Sequence, residues 1–437
     1  MKVLFISHSS LMGGAEKELW QLLKWLPKNE FECHCLFSSD GPMVEKVKAL
    51  GIKIHIAKLK WWVANNEDPM ICLFNVCDGI KERIEKISDI IKSNDIDLVM
   101  TNTIVVPDGA MAAKMTGVPH IWRIAEMLSS DPSLKPFLSL RSLYSSVIRL
   151  SDYVVVCANA VMAEFKNTLG YKPDNMRVVY SAMETNEGVQ ENKLKVEDEN
   201  IVFSAGYISP RKDFFTLLKA AKLVHDRIPS VRFKIAGSVS DGDYYKKLLR
   251  ERKALKLESI FELCGFRNDI EKLINQSAVF ALSSTSEPFG VVLLEAMGAA
   301  KPMVVTDSGG PSEAVVDGVN GYVVPVKDYK KMADRIIFLL NNKDIAKRMG
   351  QAGCRRTKAI FNMDIFGNNY VSLFKKAVKT QRKRSAERIF QMEDIIELFN
   401  DIGTNRKFIR DRINSYDKIY SSFPYRLYKK VFKTSHE

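Results

Sequence analysis

Two glutamates in the C-terminal half, Glu287 and Glu295, lie on either side of a point where a predicted strand leads into a predicted helix. A helix start presents unpaired backbone amides, so those of Phe289, Gly290 and Val291 predict an anion-binding site. Glu287 lies in the loop before this start. Glu295 lies more than one turn into an otherwise apolar helix, where a carboxylate needs a partner. The two hydroxyls of a vicinal diol could both donate to it.

Two further loops place glycines and cations after predicted strands. Gly309 and Gly310 permit close backbone approach, and Pro311 starts another helix. Two helix starts that face one crevice can hold a diphosphate without a metal ion. In the turn after strand 201–205, Arg211 and Lys212 could neutralise a leaving diphosphate.

Strands and helices alternate in both halves of the chain, which predicts parallel sheets with helices on both faces. We expect an α/β fold of two Rossmann-like, doubly wound domains, with the ligand in the cleft at the carboxyl ends of the strands. A polar run marks the linker between the halves. The predicted units are an N-terminal domain, a linker, a C-terminal domain and a basic helical C-terminal extension, at 1–185, 186–200, 201–375 and 376–437.

Two segments depart from this alternation. Residues 58–80 fit no clear period and are predicted to form an exposed excursion. The extension 376–437 mixes basic and aromatic residues. It either packs across the two domains or offers a surface for membrane or acceptor, and the sequence leaves both readings open.

Composition narrows the class of partner. The 437 residues carry a formal charge of +13, which favours anionic partners such as nucleotides or phospholipid headgroups. No nucleic-acid-reading motif is recognisable, and no apolar run reaches the length of a membrane span. Asp241 and Asp243 match a metal-binding pattern, but such pairs arise by chance in polar loops, and we predict no metal. We expect a cytoplasmic chain with peripheral contact at the inner face of the membrane.

Four motifs in the same order resemble the family-4 retaining glycosyltransferases. They are the Glu-x7-Glu pair 287–295, the loop SGGPSEAV from 308, the Gly-x3-Pro-Arg-Lys turn 206–212 and the GGAE loop 13–16. The resemblance covers roughly residues 1–375 and is strongest over 201–325. Each motif alone is weak, but four on matching elements are specific.

The resemblance implies a GT-B fold and assigns roles to the residues named above. Glu295 would hold the ribose hydroxyls, Glu287 would lie beside the donor sugar, and Arg211 and Lys212 would bind the diphosphate. The amides of Phe289, Gly290 and Val291 would meet sugar and diphosphate. Gly13 and Gly14 would close over them from the other domain.

The implied reaction moves a sugar from a nucleotide-diphosphate donor of unknown base to a hydroxyl acceptor, with retention and without a cofactor. A polysaccharide or glycolipid pathway, with a lipid-linked saccharide as acceptor, suits a basic, peripheral enzyme. Two departures leave alternatives open. Tyr207 stands where the family has Arg, and Ala125 stands where it often has His, with Arg123 and Glu126 nearby. A sugar-nucleotide epimerase or a non-catalytic nucleotide-sugar-binding protein would use the same architecture.

Overall fold

A computed structural model of the chain describes residues 1–65, 69–184 and 200–384. The predicted linker 186–200 therefore lies outside the described residues except for its last residue. The predicted extension 376–437 is described only to residue 384. The predicted domain boundaries stay predictions.

The first half forms a seven-stranded parallel sheet and a small two-stranded antiparallel sheet. The large sheet has the order β3-β2-β1-β5-β6-β8-β9, and β4 pairs with β7. Its strands and helices are β1 (Lys2–Ser7), α1 (Gly14–Trp25), β2 (Glu32–Phe37), α2 (Pro42–Lys48), β3 (Lys53–Ile56), β4 (Val63–Asn65), α3 (Pro69–Cys77), α4 (Ile80–Ser93), β5 (Leu98–Asn102), α5 (Asp108–Thr116), β6 (His120–Ile124), β7 (Leu134–Pro136), α6 (Leu140–Leu150), β8 (Tyr153–Val156), α7 (Asn159–Leu169) and β9 (Met176–Val178).

The second half forms a six-stranded parallel sheet in the order β12-β11-β10-β13-β14-β15. A short 3-10 turn (Pro210–Lys212) follows its central strand. The elements are β10 (Ile201–Ala205), α8 (Phe214–Arg227), β11 (Arg232–Ala236), α9 (Gly242–Ala254), β12 (Phe261–Gly265), α10 (Ile270–Asn275), β13 (Val279–Leu282), α11 (Val291–Gly298), β14 (Met303–Thr306), α12 (Pro311–Ala314), β15 (Gly321–Val324), α13 (Tyr329–Asn341), α14 (Lys343–Ile360) and α15 (Met363–Arg384).

Both large sheets follow the same physical logic. Their central strands are buried along their whole length, since helices cover both faces, so these strands read as continuous apolar runs rather than as alternating ones. The predicted α/β class with two Rossmann-like sheets is confirmed. Strand order reverses beside β1 and beside β10, which places a crevice at the carboxyl ends of these two strands.

The last helix returns to the first sheet. In α15, Tyr370 and Phe374 are fully buried, and the Phe374 ring lies 6.1 Å from both Phe5 and Phe31. The boundary predicted at residue 375 therefore falls inside a continuous helix. Residues 363–375, which the sequence grouped with the second domain, pack on the first.

The segment 58–80 is not the exposed excursion that its lack of period suggested. Trp62 is 1% exposed and stacks on Trp122 at 5.5 Å, and its indole Nε1 donates to the Ile104 carbonyl. Val76 of α3 is also fully buried. The described parts of the segment, 58–65 and 69–80, instead contribute Trp62, Val63 and Val76 to the core of the first half. The prediction was wrong because such short elements leave no amphipathic period that points to a buried face.

Candidate active site

A cleft of about 1110 Å³ lies between the two halves, at the carboxyl ends of the strands. Both halves contribute to its walls. Except for Gly309 and Gly310, every residue that the sequence predicted for the site lines this cleft; these are Gly13, Gly14, Arg211, Lys212, Glu287, Phe289, Gly290, Val291 and Glu295.

Three charged side chains from two loops meet on the second half's side of the cleft. The 3-10 turn after β10 directs Arg211 and Lys212 toward Glu287, which follows β13. The Lys212 ammonium donates to Glu287 Oε2, and Arg211 Nη1 lies 3.4 Å from Glu287 Oε1. Ser284 Oγ donates to the same Oε2 over 3.3 Å. The arrangement holds two cations side by side in the cleft wall.

Glu287 stays ionised although it is 5% exposed. Burial alone would raise the pKa of its carboxyl, but attraction to Lys212 and Arg211 lowers that pKa to about 2. Burial lowers the pKa of Lys212, and Glu287 opposes that shift. The carboxylate therefore offsets the desolvation of the buried Lys212 and, together with Asp131, that of the partly buried Arg211.

Helix α11 begins at the cleft without a side-chain cap. Its N-cap residue Gly290 adopts φ 86°, a left-handed conformation that favours glycine, and no side chain caps the helix start. The Phe289 side chain is buried against Tyr180 and Phe361, with ring centroids 5.8 and 5.4 Å away. The residues of the helix start, Phe289, Gly290 and Val291, line the cleft, where the prediction of an anion site places them.

Gly309 and Gly310 lie behind this site rather than in it. The Gly310 amide donates to the Glu287 carbonyl over 2.9 Å, and the Glu287 amide donates to the Ser308 carbonyl over 2.8 Å. A Cβ on Gly310 would lie 2.1 Å from the Pro288 carbonyl oxygen. The loop of Gly309 and Gly310 thus supports the loop of Glu287, and the predicted contact of these glycines with the donor stays a prediction.

Glu295 faces the cleft from α11, as its position in the helix predicts. Its side chain is 29% exposed and its Oε1 lies 3.7 Å from Lys17 Nζ of α1, across the cleft. Burial raises the pKa of Glu295, and Lys17 opposes that rise. This pairing could not be predicted from the sequence, since Lys17 and Glu295 are far apart in the chain.

The first half contributes acidic groups to the opposite wall. Arg123 does not reach the cleft as a free cation: it is buried, pairs with Glu18, and donates to Asn102 Oδ1 over 3.0 Å. Glu126 lines the cleft, and its Oε2 accepts from the amides of Ala125 and Ile104 over 2.9 and 3.3 Å. Burial raises the pKa of Glu126.

Other contacts bridge the halves directly. Asp131 Oδ2 lies 3.3 Å from Arg211 Nε. Glu313, which follows the Gly309–Gly310 turn, accepts from the amides of Asn159 and Ala160 over 2.9 and 2.7 Å, and so caps α7 of the other half. Tyr180 donates to the same carboxylate over 2.9 Å. The sequence analysis did not predict these contacts of Asp131 and Glu313.

The Asp-x-Asp pattern has a local structural role. Asp241 caps α9 by accepting from the Tyr244 amide over 2.8 Å, and Asp243 lies 3.3 Å from Lys246 one turn along the helix. Within residues 1–65, 69–184 and 200–384, no group of three or more His, Cys, Asp or Glu side chains is placed to hold a metal ion.

Two family models match consecutive stretches of the chain. The one described as Glycosyltransferase Family 4 matches residues 12–187, and the one described as Glycosyl transferases group 1 matches residues 186–356. The chain belongs to the glycosyl transferases group 1 family. Its two parallel sheets around a cleft are the GT-B fold of that family, as the sequence motifs implied.

Three relatives of this group 1 glycosyltransferase are themselves named as glycosyltransferases. A Bacillus subtilis protein named as the glycosyltransferase EpsD is 29% identical over 215 residues, 49% of each chain. The lipopolysaccharide core biosynthesis glycosyltransferase LpsE of Rhizobium meliloti is 27% identical over 55% of this chain and 71% of its own. The N,N'-diacetylbacillosaminyl-diphospho-undecaprenol α-1,3-N-acetylgalactosaminyltransferase of Campylobacter jejuni is 22% identical over 87% of this chain and all of its own. The match thus spans about half the length of EpsD.

Solved structures share the fold. Anabaena HepE, crystallised with UDP and glucose, superposes with a TM-score of 0.70 at 22% identity over 86% of this chain and 99% of its own. At this identity the likeness shows the fold alone. Among the described residues of this chain, no helix has both the length and the apolar character to cross a bilayer.

Proposed function

We propose that this chain transfers a sugar from a nucleotide-diphosphate donor to a hydroxyl acceptor, with retention of anomeric configuration and without a metal ion. The observation that carries the proposal is the joint position of Arg211, Lys212 and the uncapped start of α11 in one cleft wall. Fixed cations and aligned amides are the groups that stabilise a departing diphosphate.

Glu295 completes the donor site in this proposal. It lies on the helix whose start would bind the diphosphate, and a ribose diol could donate two hydrogen bonds to its carboxylate. Gly13 and Gly14 face these groups from the first half, so the donor would be enclosed on both sides. HepE was crystallised with UDP and glucose, so uracil is the first nucleobase to test in the donor of this chain.

The acceptor would enter from the first half. Glu126 and Ala125 line that wall, and Ala125 stands at the position where the family often has a His. In a front-face transfer the departing diphosphate oxygen takes the proton of the acceptor hydroxyl, so the reaction needs no separate protein base. The Campylobacter relative is named for a lipid-linked acceptor, which supports a glycolipid or polysaccharide substrate and peripheral contact with an anionic membrane.

The test is product analysis with EDTA present throughout. The chain is incubated with nucleotide-sugars and undecaprenol-diphosphate-linked saccharides, and release of nucleoside diphosphate and the anomeric proton coupling of the product are followed by NMR. Release that depends on acceptor, with the donor's anomeric configuration retained, is expected. An isomerised nucleotide-sugar without acceptor would indicate the epimerase instead, and binding without any release would indicate a non-catalytic protein.

A further inference from the structure

The cations of the diphosphate site are already matched by carboxylates of the protein. Lys212 and Arg211 contact Glu287, and Arg211 also contacts Asp131 from the other half. The two carboxylates cancel the formal charge of the two cations. A donor diphosphate, which carries a negative charge on each phosphate, would therefore enter a site with little net positive charge beyond the partial charges of helix starts.

The family's second arginine does not supply the missing charge. Tyr207 occupies its place in the turn after Gly206 and is exposed. A further cation would have to come from another part of the cleft wall.

Lys17 is placed to be that cation. It lines the cleft from the first turn of α1, three and four residues after Gly14 and Gly13, so it shares their face of the helix. Its side chain is 47% exposed, and its Nζ lies 3.7 Å from Glu295 Oε1. Glu295 is one turn from the start of α11, about 5.4 Å, a distance that the flexible lysine stem can cover.

Glu295 has two competing uses, and this competition links Lys17 to the donor. In the structure its carboxylate pairs with Lys17. In the proposed function the same oxygens accept from the ribose hydroxyls. A nucleoside whose ribose binds Glu295 would thus weaken the ion pair between Glu295 and Lys17. The Lys17 ammonium would then be free to contact the phosphates of the nucleotide.

We propose that Lys17 is a donor-binding residue of this cleft, which exchanges Glu295 for the diphosphate of the nucleotide when the ribose binds. The inference rests on the proposed function. It adds a cation from the first half, so that the diphosphate would be held from both sides of the cleft.

The exchange predicts opposite effects on two parts of one ligand. Lys17→Met removes the charge but keeps the length of the side chain. It should weaken the binding of UDP about tenfold, the effect of losing one charge-assisted contact. The binding of uridine should stay the same or tighten, because Glu295 loses its competitor. Lys17→Arg should retain most of the affinity for UDP.

Lys24→Met is a matched control on the same helix. Lys24 also pairs with a glutamate, Glu184 of the same half, at 2.6 Å, and its side chain is 44% exposed. It does not line the cleft. Its loss should leave the affinity for UDP and the ratio of UDP to uridine affinity unchanged.

The experiment measures dissociation constants for uridine, UMP and UDP by ligand-observed NMR and calorimetry on wild type and these three variants. ADP, CDP and GDP are included, and the base that binds most tightly is carried through the series. A fall in the diphosphate-to-nucleoside affinity ratio in Lys17→Met alone supports the proposal. An unchanged ratio overturns it and makes Lys17 a simple bridge between halves, whereas failure of wild type to bind any nucleoside diphosphate removes the proposed function itself.

Discussion

At the scale of single residues, the site depends on charges that are compensated before any ligand arrives. Glu287 keeps Lys212 and Arg211 charged in a buried wall, and its own pKa falls to about 2 as a result. The carboxylate can be read as a positioning group for cations as well as a neighbour of the donor sugar. Because Glu287 must be ionised to pair with Lys212 and Arg211, both the stability of the fold and the binding of a ligand should depend on pH.

The first prediction concerns that pH dependence. The folded-state pKa of Glu287, about 2, lies below its ordinary value of 4.5, so its contribution to stability is complete above pH 4.5 and is lost as pH falls toward 2. The contribution is on the order of 3 kcal/mol. The difference in the free energy of unfolding between wild type and Glu287→Gln, measured by urea titration, should therefore shrink as pH falls below about 4.5. A difference that is constant from pH 6 to 3 would contradict the ion-paired state.

The residues that could be predicted from sequence are those whose neighbours in the chain already define a chemistry. Glu287 and Glu295 stand at a helix start, and Arg211 and Lys212 stand in a strand-to-helix turn. Asp131 and Lys17 could not be found in this way, because their partners lie in the other half of the chain. Their ion pairs form only because the fold brings the two halves together across the cleft.

At the scale of elements, the glycine pairs 13–14 and 309–310 look alike in sequence but have different surroundings in the structure. Gly310 sits where a Cβ would meet the Pro288 carbonyl at 2.1 Å, so its small size serves the contact between two loops. Gly14 begins α1 at the cleft, and a Cβ there would meet nothing within 4 Å. The sequence predicted a ligand contact for both pairs, and packing separates them.

The second prediction compares Gly310→Ala with Gly14→Ala. Gly310→Ala should lower the free energy of unfolding by about 1–3 kcal/mol, because the added methyl group forces two loops apart. Gly14→Ala should leave stability unchanged or raise it by up to about 1 kcal/mol, since alanine suits a helix better than glycine. If the loop closes on the donor, Gly14→Ala should still weaken nucleotide binding. Thermal unfolding and calorimetry separate the two effects, and a Gly14→Ala protein with normal nucleotide affinity would remove that loop from the donor site.

Elements were predictable where their burial leaves a pattern. The central strands β1, β5, β10 and β13 are short runs between turns, and they fit the alternation of strands and helices that the sequence predicted. The segment 58–80 was misread because β4 and α3 are short and α3 is apolar on more than one side, so neither shows a period that points to one buried face. Trp62 is buried because it stacks on Trp122 of β6, and α3 contacts β4, and no local pattern encodes either contact.

At the scale of the whole molecule, the halves are joined by a carboxylate and by a returning helix. Glu313 of the second half caps α7 of the first, and α15 leaves the second half to pack on the first sheet. The ion pair of Asp131 with Arg211 and the packing of Tyr180 on Phe289 add to this contact between the halves.

The third prediction concerns the cap across the cleft. Glu313→Ala removes the acceptor for the amides of Asn159 and Ala160, which should cost about 1 kcal/mol and loosen the contact between halves. The radius of gyration from small-angle X-ray scattering should increase in the variant. Glu258→Ala, at an exposed position, serves as the control. An unchanged scattering curve for Glu313→Ala would show that the cap does not hold the halves together.

The fourth prediction tests whether α15 packs on the sheet of the first half or on that of the second. Phe374→Ala should destabilise the protein by about 3–5 kcal/mol, because the ring is fully buried against Phe5 and Phe31. Hydrogen exchange should accelerate in β1 and β2 more than in β10 and β13. Ile365→Ala, in the same helix but 43% exposed, should change exchange little. Faster exchange confined to the second sheet would contradict the packing of α15 on the first.

The central claim is that the cleft is a metal-independent donor site that depends on Glu295. The most direct test is a thermal-shift panel of nucleoside diphosphates and their sugars, run with EDTA on wild type and Glu295→Ala. We expect one donor to raise the melting temperature of wild type by several degrees and to leave the variant unshifted. If no nucleotide shifts wild type, or if Glu295→Ala responds equally, the assignment of the donor site is wrong.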